Sequence, residues 1–210
     1  GVGYINNIEN MFTGNIVINR VKVPRNDGTN LADYLLQGIS VSSIAMDGAG
    51  RKWFGTTTSG IYLVSADGTE ILEHFTTENS YLPSNLIFSV ECNTDNNSVY
   101  ITTDKGLAEY SSDAVTPEQN FDNVYAYPNP VRPDYTGYIT IRGLMENSLV
   151  KIADTAGNVV FSTKSNGGMA VWDGCNSNGK RVDTGVYFVF ASQSEDGSSE
   201  GCVTKILIVR

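Results

Sequence analysis

The chain has 210 residues, 40% of them hydrophobic and 18% charged, and a formal net charge of −9. That is room for one or two domains, and a surface this acidic argues against nucleic acid, whose phosphates require clustered Lys and Arg. No run of about 20 apolar residues occurs, so no segment reads as a membrane-crossing helix.

There are 21 Gly and 6 Pro, with many Asn, Ser, Thr and Asp, the residues that turn a chain tightly between strands. No stretch sustains an apolar period of about 3.6 residues, so the pattern predicts an all-β protein. Charge is uneven: residues 1–117 hold 13 acids and 6 bases, and residues 118–210 hold 10 and 8. An anionic partner is therefore expected on the second half rather than the first. The three cysteines, Cys92, Cys175 and Cys202, are too few and odd in number for a disulfide framework. Three free thiols and a Cys175–Cys202 pair are both open. Gly1 and an opening in mid-pattern read as a piece of a longer, exported protein, whose signal peptide would lie outside this chain.

Residues 14–23, GNIVINRVKV, alternate Ile16, Ile18 and Val21 with polar partners and read as a strand. PRNDG (24–28) is a turn cluster. LADYLL (31–36) would form a helical turn or two behind an Asn30 cap, too short to stand alone. Residues 41–112 repeat. Sliding the chain by 46 positions places Ser43-Ile44 on Ser89-Val90, Phe54 on Tyr100, Thr56-Thr57 on Thr102-Thr103, Gly60-Ile61 on Gly106-Leu107 and Val64 on Tyr110, without a gap. Each unit reads strand, Gly/Asn turn, strand, short turn ending in Gly60 or Gly106, strand. A period in the forties with several short strands is the signature of propeller blades. Trp53 is read as packing between blades rather than as a ligand platform. The lone histidine, His74, falls in the link after the first unit and is read as structural.

RKWFGTTTSGIYLV (51–64), HFTTENSYLPSN (74–85) and the weaker VYITTDKGLAEY (99–110) resemble two-component-regulator propeller repeats. The marks are the aromatic-x-Gly-Thr strand, the Gly-apolar turn and the Phe-Thr-x-x-Asn…Leu-Pro-x-Asn link, with Ile101 where the second unit should carry Gly. A closed propeller needs about 4–8 blades. Residues 1–115 are thus expected to be an incomplete propeller of two to three blades, whose open edges make the chain self-associate.

A polar stretch follows, with a linker at 116–122. In VYAYPNP (124–130), Tyr125 and Tyr127 alternate with Val124 and Ala126 as an entering strand would. Pro128 and Pro130 then end the pairing, because neither has an N–H to donate. Further strands are expected at 138–142, 149–154, 158–163, 168–172, 185–192 and 202–209. Together with 123–127 these predict an immunoglobulin-like β-sandwich over 123–210. Both faces of 185–192, GVYFVFAS, are apolar, which places that strand centrally.

This half resembles the FlgD-like immunoglobulin fold and the C-terminal domains of Bacteroidetes type IX secretion. The matching residues are YPNP (127–130), the Asp-x-x-Gly-Asn-Val-Val segment ending at Val160, WDG (172–174), NGKRVDTGVY (178–187) and the final KILIVR. Blades followed by VYAYPNPVRPDY resemble the C-terminal part of the PorZ family of surface-exposed type IX secretion components. The resemblance implies a non-enzymatic protein of the periplasm or outer-membrane surface. It would present or deliver anionic lipopolysaccharide through its C-terminal sandwich, or dock to secretion-machinery proteins. Two further roles stay open: a periplasmic sensor ectodomain of a two-component regulator, and a secreted cargo carrying a sorting C-terminal domain. YPNP and KILIVR stand where a sensor would carry a different sandwich, which favours the first role.

No Ser or Cys has a recognisable base partner, no G-x-S-x-G elbow occurs, no Cys/His spacing suits zinc, and the Gly-rich pieces lack a P-loop Lys. No catalytic residue, cofactor or metal ligand is assigned. Asp173, Asn176 and Asn178 in WDGCNSNG could face calcium, but the bidentate Glu is missing, and side-chain-to-backbone turns explain them more simply. The binding candidates are Arg132, Tyr135, Tyr138, Arg142, Lys151 and Lys164. They mix bases with aromatics in the half nearest neutrality, which suits an anionic glycan or lipid headgroup. An ordinary solvated sandwich face would carry the same residues.

Overall fold

In the computed structural model all residues are described except 8, 10, 11, 13, 15, 26 and 194–201, and the side chains of 202 and 203. The architecture is all-β, as the composition predicts. Two compact units are present: Gly1–Asn93 with Ser98–Ser111, and Thr94–Asn97 with Ser112–Arg210.

In the first unit β1 (Gly3–Tyr4) pairs with β2 (Asn19–Arg20), and β3 (Lys22–Pro24) with β4 (Ala32–Tyr34). LADYLL is therefore not helical. Six residues cannot offset the cost of helix nucleation, whereas the turn after Pro24 brings Tyr34 opposite Lys22. Arg25 fastens this hairpin with two bonds to the Asp33 carboxylate, 2.8 and 2.7 Å. Leu35 and Leu36 then bury with Phe54, Tyr62 and Val64.

β5 (Val41–Met46), β6 (Lys52–Thr56), β7 (Ile61–Val64) and β8 (Ile71–Phe75) form a four-stranded antiparallel meander, the strand order of a propeller blade. β9 (Ile87–Asn93), β10 (Ser98–Thr103) and β11 (Gly106–Ser111) form a three-stranded one. His74 lies in β8 rather than in a link. It sits opposite Tyr62, its ring stacked on that ring at 3.9 Å, and its Nε2–H donates to the Ser59 carbonyl at 2.7 Å. The link proper follows it. Asn79 Oδ1 accepts from Thr76 N–H (2.8 Å), Asn85 Oδ1 accepts from Thr77 N–H (2.9 Å), and the Asn85 carbonyl accepts from Gly60 N–H (3.0 Å).

The registers correct the repeat. Ile44, Phe54 and Tyr62 stand across from one another in the first sheet, as Val90, Ile101 and Ala108 do in the second. The sheets thus correspond at 46 positions in their first and third strands and at 47 in their second. Ile101 is the counterpart of Phe54, and Gly55 corresponds to Thr102. The β9–β10 turn is one residue longer than its counterpart and the β10–β11 turn one shorter, so a gapless comparison slips one position between them. The hydroxyls agree with the new register: Thr56 Oγ1 donates to the Gly60 carbonyl (2.7 Å) and Thr103 Oγ1 to the Gly106 carbonyl (2.8 Å).

The two meanders pack through Trp53, Ile61, Leu63 and Leu82 from one side and Ile87, Val90, Val99 and Ile101 from the other. Trp53 is fully buried there, stacked on Phe75 at 6.0 Å and tilted against Tyr110 at 5.4 Å, as its packing role predicts. Gly55 keeps the strands close, since a Cβ there would stand 2.7 Å from Ile87 Cγ2.

The second unit contains β12 (Tyr125–Tyr127), β13 (Ile139–Arg142), β14 (Leu149–Ala153), β15 (Val159–Lys164), β16 (Met169–Trp172), β17 (Gly185–Ser192) and β18 (Cys202–Ile208). They form two sheets, ordered β12-β13-β16 and β15-β14-β17-β18. One core joins the sheets, with Ile139, Ile141 and Trp172 from the first and Val150, Ile152, Val189 and Ile206 from the second. Both prolines of YPNP follow cis peptide bonds. Asn129 between them ties the entering segment to β18: its Nδ2 donates to the Lys205 carbonyl (2.8 Å) and its Oδ1 accepts from Leu207 N–H (3.0 Å). In WDGCNSNG, Asp173 Oδ1 accepts from Cys175 N–H (2.8 Å) and Asn176 Oδ1 from the N–H groups of Asn178 and Lys180 (both 3.1 Å). These are the side-chain-to-backbone turns.

Candidate functional site

Strand alternation builds a two-sided sheet from β15, β14, β17 and β18. Val150, Ile152, Tyr187, Val189, Ala191, Ile206 and Ile208 face the core. Lys151, Phe188, Phe190, Lys205 and Leu207 alternate with them and therefore face outward. Lys151 stands between Ser162 and Phe190, Phe188 opposite Lys205, Leu149 opposite Lys164, and Val186 opposite Leu207. Residues directly opposite keep their Cβ atoms about 5 Å apart, so each lysine stem borders the apolar stripe. Phe190 remains 44% exposed and Leu207 40%. Lys151, Lys164 and Lys205 are all exposed. None of the four strands contains Asp or Glu, in a chain whose net charge is −9. Lysines are flexible point charges that reach phosphate or carboxylate from several angles. The face can hold apolar chains on Phe188 and Phe190 and anionic groups at its lysines.

The six residues singled out from sequence fall in three places. Lys151 and Lys164 belong to this face. Arg142 alternates with the core residues Ile139 and Ile141 and so lies on the outer face of the other sheet, opposite Tyr125. There the Tyr125 and Tyr127 rings stack at 6.0 Å, and Arg142 Nη2 donates to the Asp95 carbonyl at 2.5 Å. Arg132, Tyr135 and Tyr138 lie between β12 and β13. The Tyr135 hydroxyl donates to the Tyr138 carbonyl (2.7 Å), the Tyr135 carbonyl accepts from Arg181 Nη2 (2.7 Å), and Arg132 and Tyr138 are exposed. Sequence reasoning missed Lys205, Phe188 and Phe190 as members of the face. Setting the alternation of 186–190 beside that of 203–209 would have found them, had the pairing register been known.

The thiols of Cys92 and Cys175 are free. Cys92 is pushed up to about 12, first by burial and then by the nearby Asp47 and Glu91 carboxylates. Because Cys175 is free it does not pair with Cys202, whose own side chain lies outside the described residues.

No protein-family profile matches the chain, and no curated protein sequence matches it. Among solved structures the whole chain aligns with PorZ of Porphyromonas gingivalis at 32% identity and a TM-score of 0.62, covering 28% of PorZ. PorZ is described as an essential bacterial surface component of the type IX secretion system. The extracellular domain of BT4673 from B. thetaiotaomicron aligns with 92% of the chain and 29% of its own length, at 14% identity and a TM-score of 0.31. Dimeric latent PorU from P. gingivalis aligns with 53% of the chain and 12% of its own, at 20% identity and a TM-score of 0.33.

Proposed function

We propose that this chain is a non-enzymatic binding region of an exported, PorZ-like secretion protein. The outer face of β15-β14-β17-β18 takes an anionic amphiphile, and the anionic lipopolysaccharide of the cell surface is the ligand that fits it. One observation carries the reading: in an acidic chain, four adjacent strands hold three lysines, two outward phenylalanines and no acid. Full-length similarity to a segment of PorZ supports the secretion setting.

Titrating the chain with anionic and neutral lipopolysaccharides, read by amide NMR, tests it. The anionic form should give saturable shifts on β14, β17 and β18, and the neutral form none. Replacing Lys151→Glu and Lys205→Glu together should weaken binding roughly 30-fold or more, at about 1 kcal/mol per base near an anionic surface. Equal response to both forms, or shifts centred on Tyr125 and Arg142, would overturn the assignment.

A further inference from the structure

We propose that the cavity beside Arg142, at the end of β13, binds a free zwitterionic α-amino acid with an aromatic side chain. The site belongs to the β12-β13-β16 sheet and the lysine face to the other, and either assignment can fail without the other.

The cavity is built from backbone. Residues 115–118 and 123–125 flank the end of β13 and close on it. Gly168 N–H donates to the Val115 carbonyl (2.8 Å), Leu144 N–H to the Gly168 carbonyl (3.0 Å) and Glu118 N–H to the Leu144 carbonyl (2.9 Å). Two glycines allow this approach. A Cβ on Gly168 would stand 2.3 Å from the Thr116 carbonyl oxygen, and one on Gly143 would stand 2.3 Å from that of Asn123. The space left is about 400 Å³, lined by Thr116, Glu118, Asn123, Tyr125, Arg142 and Gly168, all in the second unit. That volume suits a small ligand.

The charges specify the occupant. A guanidinium presents a planar fork of N–H donors. Arg142 directs Nη2 at the Asp95 carbonyl, and its other donors have no partner among the described residues. The exposed Glu118 carboxylate has no partner among them either. One cavity is thus lined by a cation and an anion, each unmatched. A ligand of a single charge satisfies one and opposes the other: a phosphate meets Glu118, and an amine meets Arg142. An α-amino acid carries carboxylate and ammonium on the same carbon and satisfies both. The charge-assisted bonds it forms are roughly twice as strong as the neutral ones between uncharged groups, which favours it over a sugar.

The remaining wall is aromatic. Tyr125 stands directly opposite Arg142 and is 50% exposed, with its ring stacked on Tyr127 at 6.0 Å. A second ring packs favourably against such a face in an offset or edge-on arrangement, so the amino acid that fits has an aromatic side chain.

The test uses the full chain, amide NMR and three probes. These are L-tryptophan, L-tryptophanamide, which lacks the carboxylate, and N-acetyl-L-tryptophan, which lacks the ammonium. L-Tryptophan should give saturable shifts at residues 94–95, 116–118, 123–125, 142–143 and 168, and leave β14 and β17 unmoved. Each derivative should bind about tenfold weaker, having lost one charge-assisted bond. In Glu118→Gln, whose side chain bonds nothing among the described residues, the acetylated and free amino acids should bind alike. In Arg142→Gln, checked for fold by circular dichroism, the amide and the free acid should bind alike. No saturable shift with L-tryptophan overturns the proposal, as does a preference over the acetylated form that Glu118→Gln leaves unchanged. Methyl glucoside bound at the same residues as tightly as tryptophan does the same, since the occupant would then be a neutral sugar.

Discussion

Gly60 and Gly106 occupy the same place in the two meanders, yet they are glycine for reasons of different strength. Gly60 has φ +74°, and a Cβ on it would stand 2.1 Å from the Phe75 carbonyl oxygen. That oxygen is backbone within β8 and has nowhere to go. Gly106 has φ +128° with open space around the Cβ position. Gly60→Ala should therefore cost about 3 kcal/mol or more and Gly106→Ala about 1 kcal/mol, strain alone in the second case. Denaturant unfolding of the two variants side by side checks the order, and equal losses would refute it. Cys92 makes a chemical prediction at the same scale. Its folded pKa is raised, so at pH 8 to 9 it stays a thiol while an unfolded thiol, near about 8.5, is half ionised. It should resist alkylation in the native chain and react once denaturant is added, as mass mapping of the modified cysteine would show. The sign for stability follows: the contribution is complete below the unfolded value and is lost as pH rises toward about 12.

The turn between β5 and β6 shows how one carboxylate fixes an element. Asp47 Oδ1 accepts from the N–H groups of Ala49 (3.0 Å) and Arg51 (3.1 Å), and Oδ2 accepts from Arg51 Nε (2.8 Å) and Trp53 Nε1 (3.3 Å). Asp47 and Arg51 are both buried. Asp47→Ala removes the ion pair to Arg51, the indole bond and both turn bonds together, and should cost about 2–3 kcal/mol. Asp47→Asn keeps an oxygen for the turn and should cost less; thermal melts of the pair decide. This turn was legible in sequence only as Gly/Asn punctuation, because nothing local says that Asp47 will meet the Trp53 indole. The same limit recurs along the chain. Strands such as 185–192 and 149–154 could be read because alternation is written in the residues themselves. β8 could not, since ILEHF has no clean alternation and becomes a strand by pairing with β7. LADYLL carried a helical composition that pairing with β3 overrode. The lysine face was half visible: Lys151 and Lys164 stood out as bases, but their neighbours Phe190 and Lys205 are contributed by strands whose register no local pattern states.

Net charge and the charge of one face act at different ranges, and this sets how the whole chain should meet an anionic ligand. At about 10 mM salt the screening length is roughly 30 Å, comparable to the size of a small domain, so an approaching anion feels the summed field. That field belongs to a chain of net charge −9 and is repulsive. At about 0.1 M the length falls to roughly 10 Å, so the anion meets Lys151, Lys164 and Lys205 with every carboxylate beyond that range screened. Direct contacts at the lysines are screened last, because they operate within a few ångströms. The association rate for anionic lipopolysaccharide should therefore rise as salt increases to about 0.1 M, then level, while affinity weakens at higher salt. A basic protein binding the same ligand would show a falling rate throughout. Stopped-flow association over this range distinguishes the two. A rate that falls from the lowest salt onward would mean that the ligand approaches under attraction, and the lysine face could not be the isolated basic patch described here.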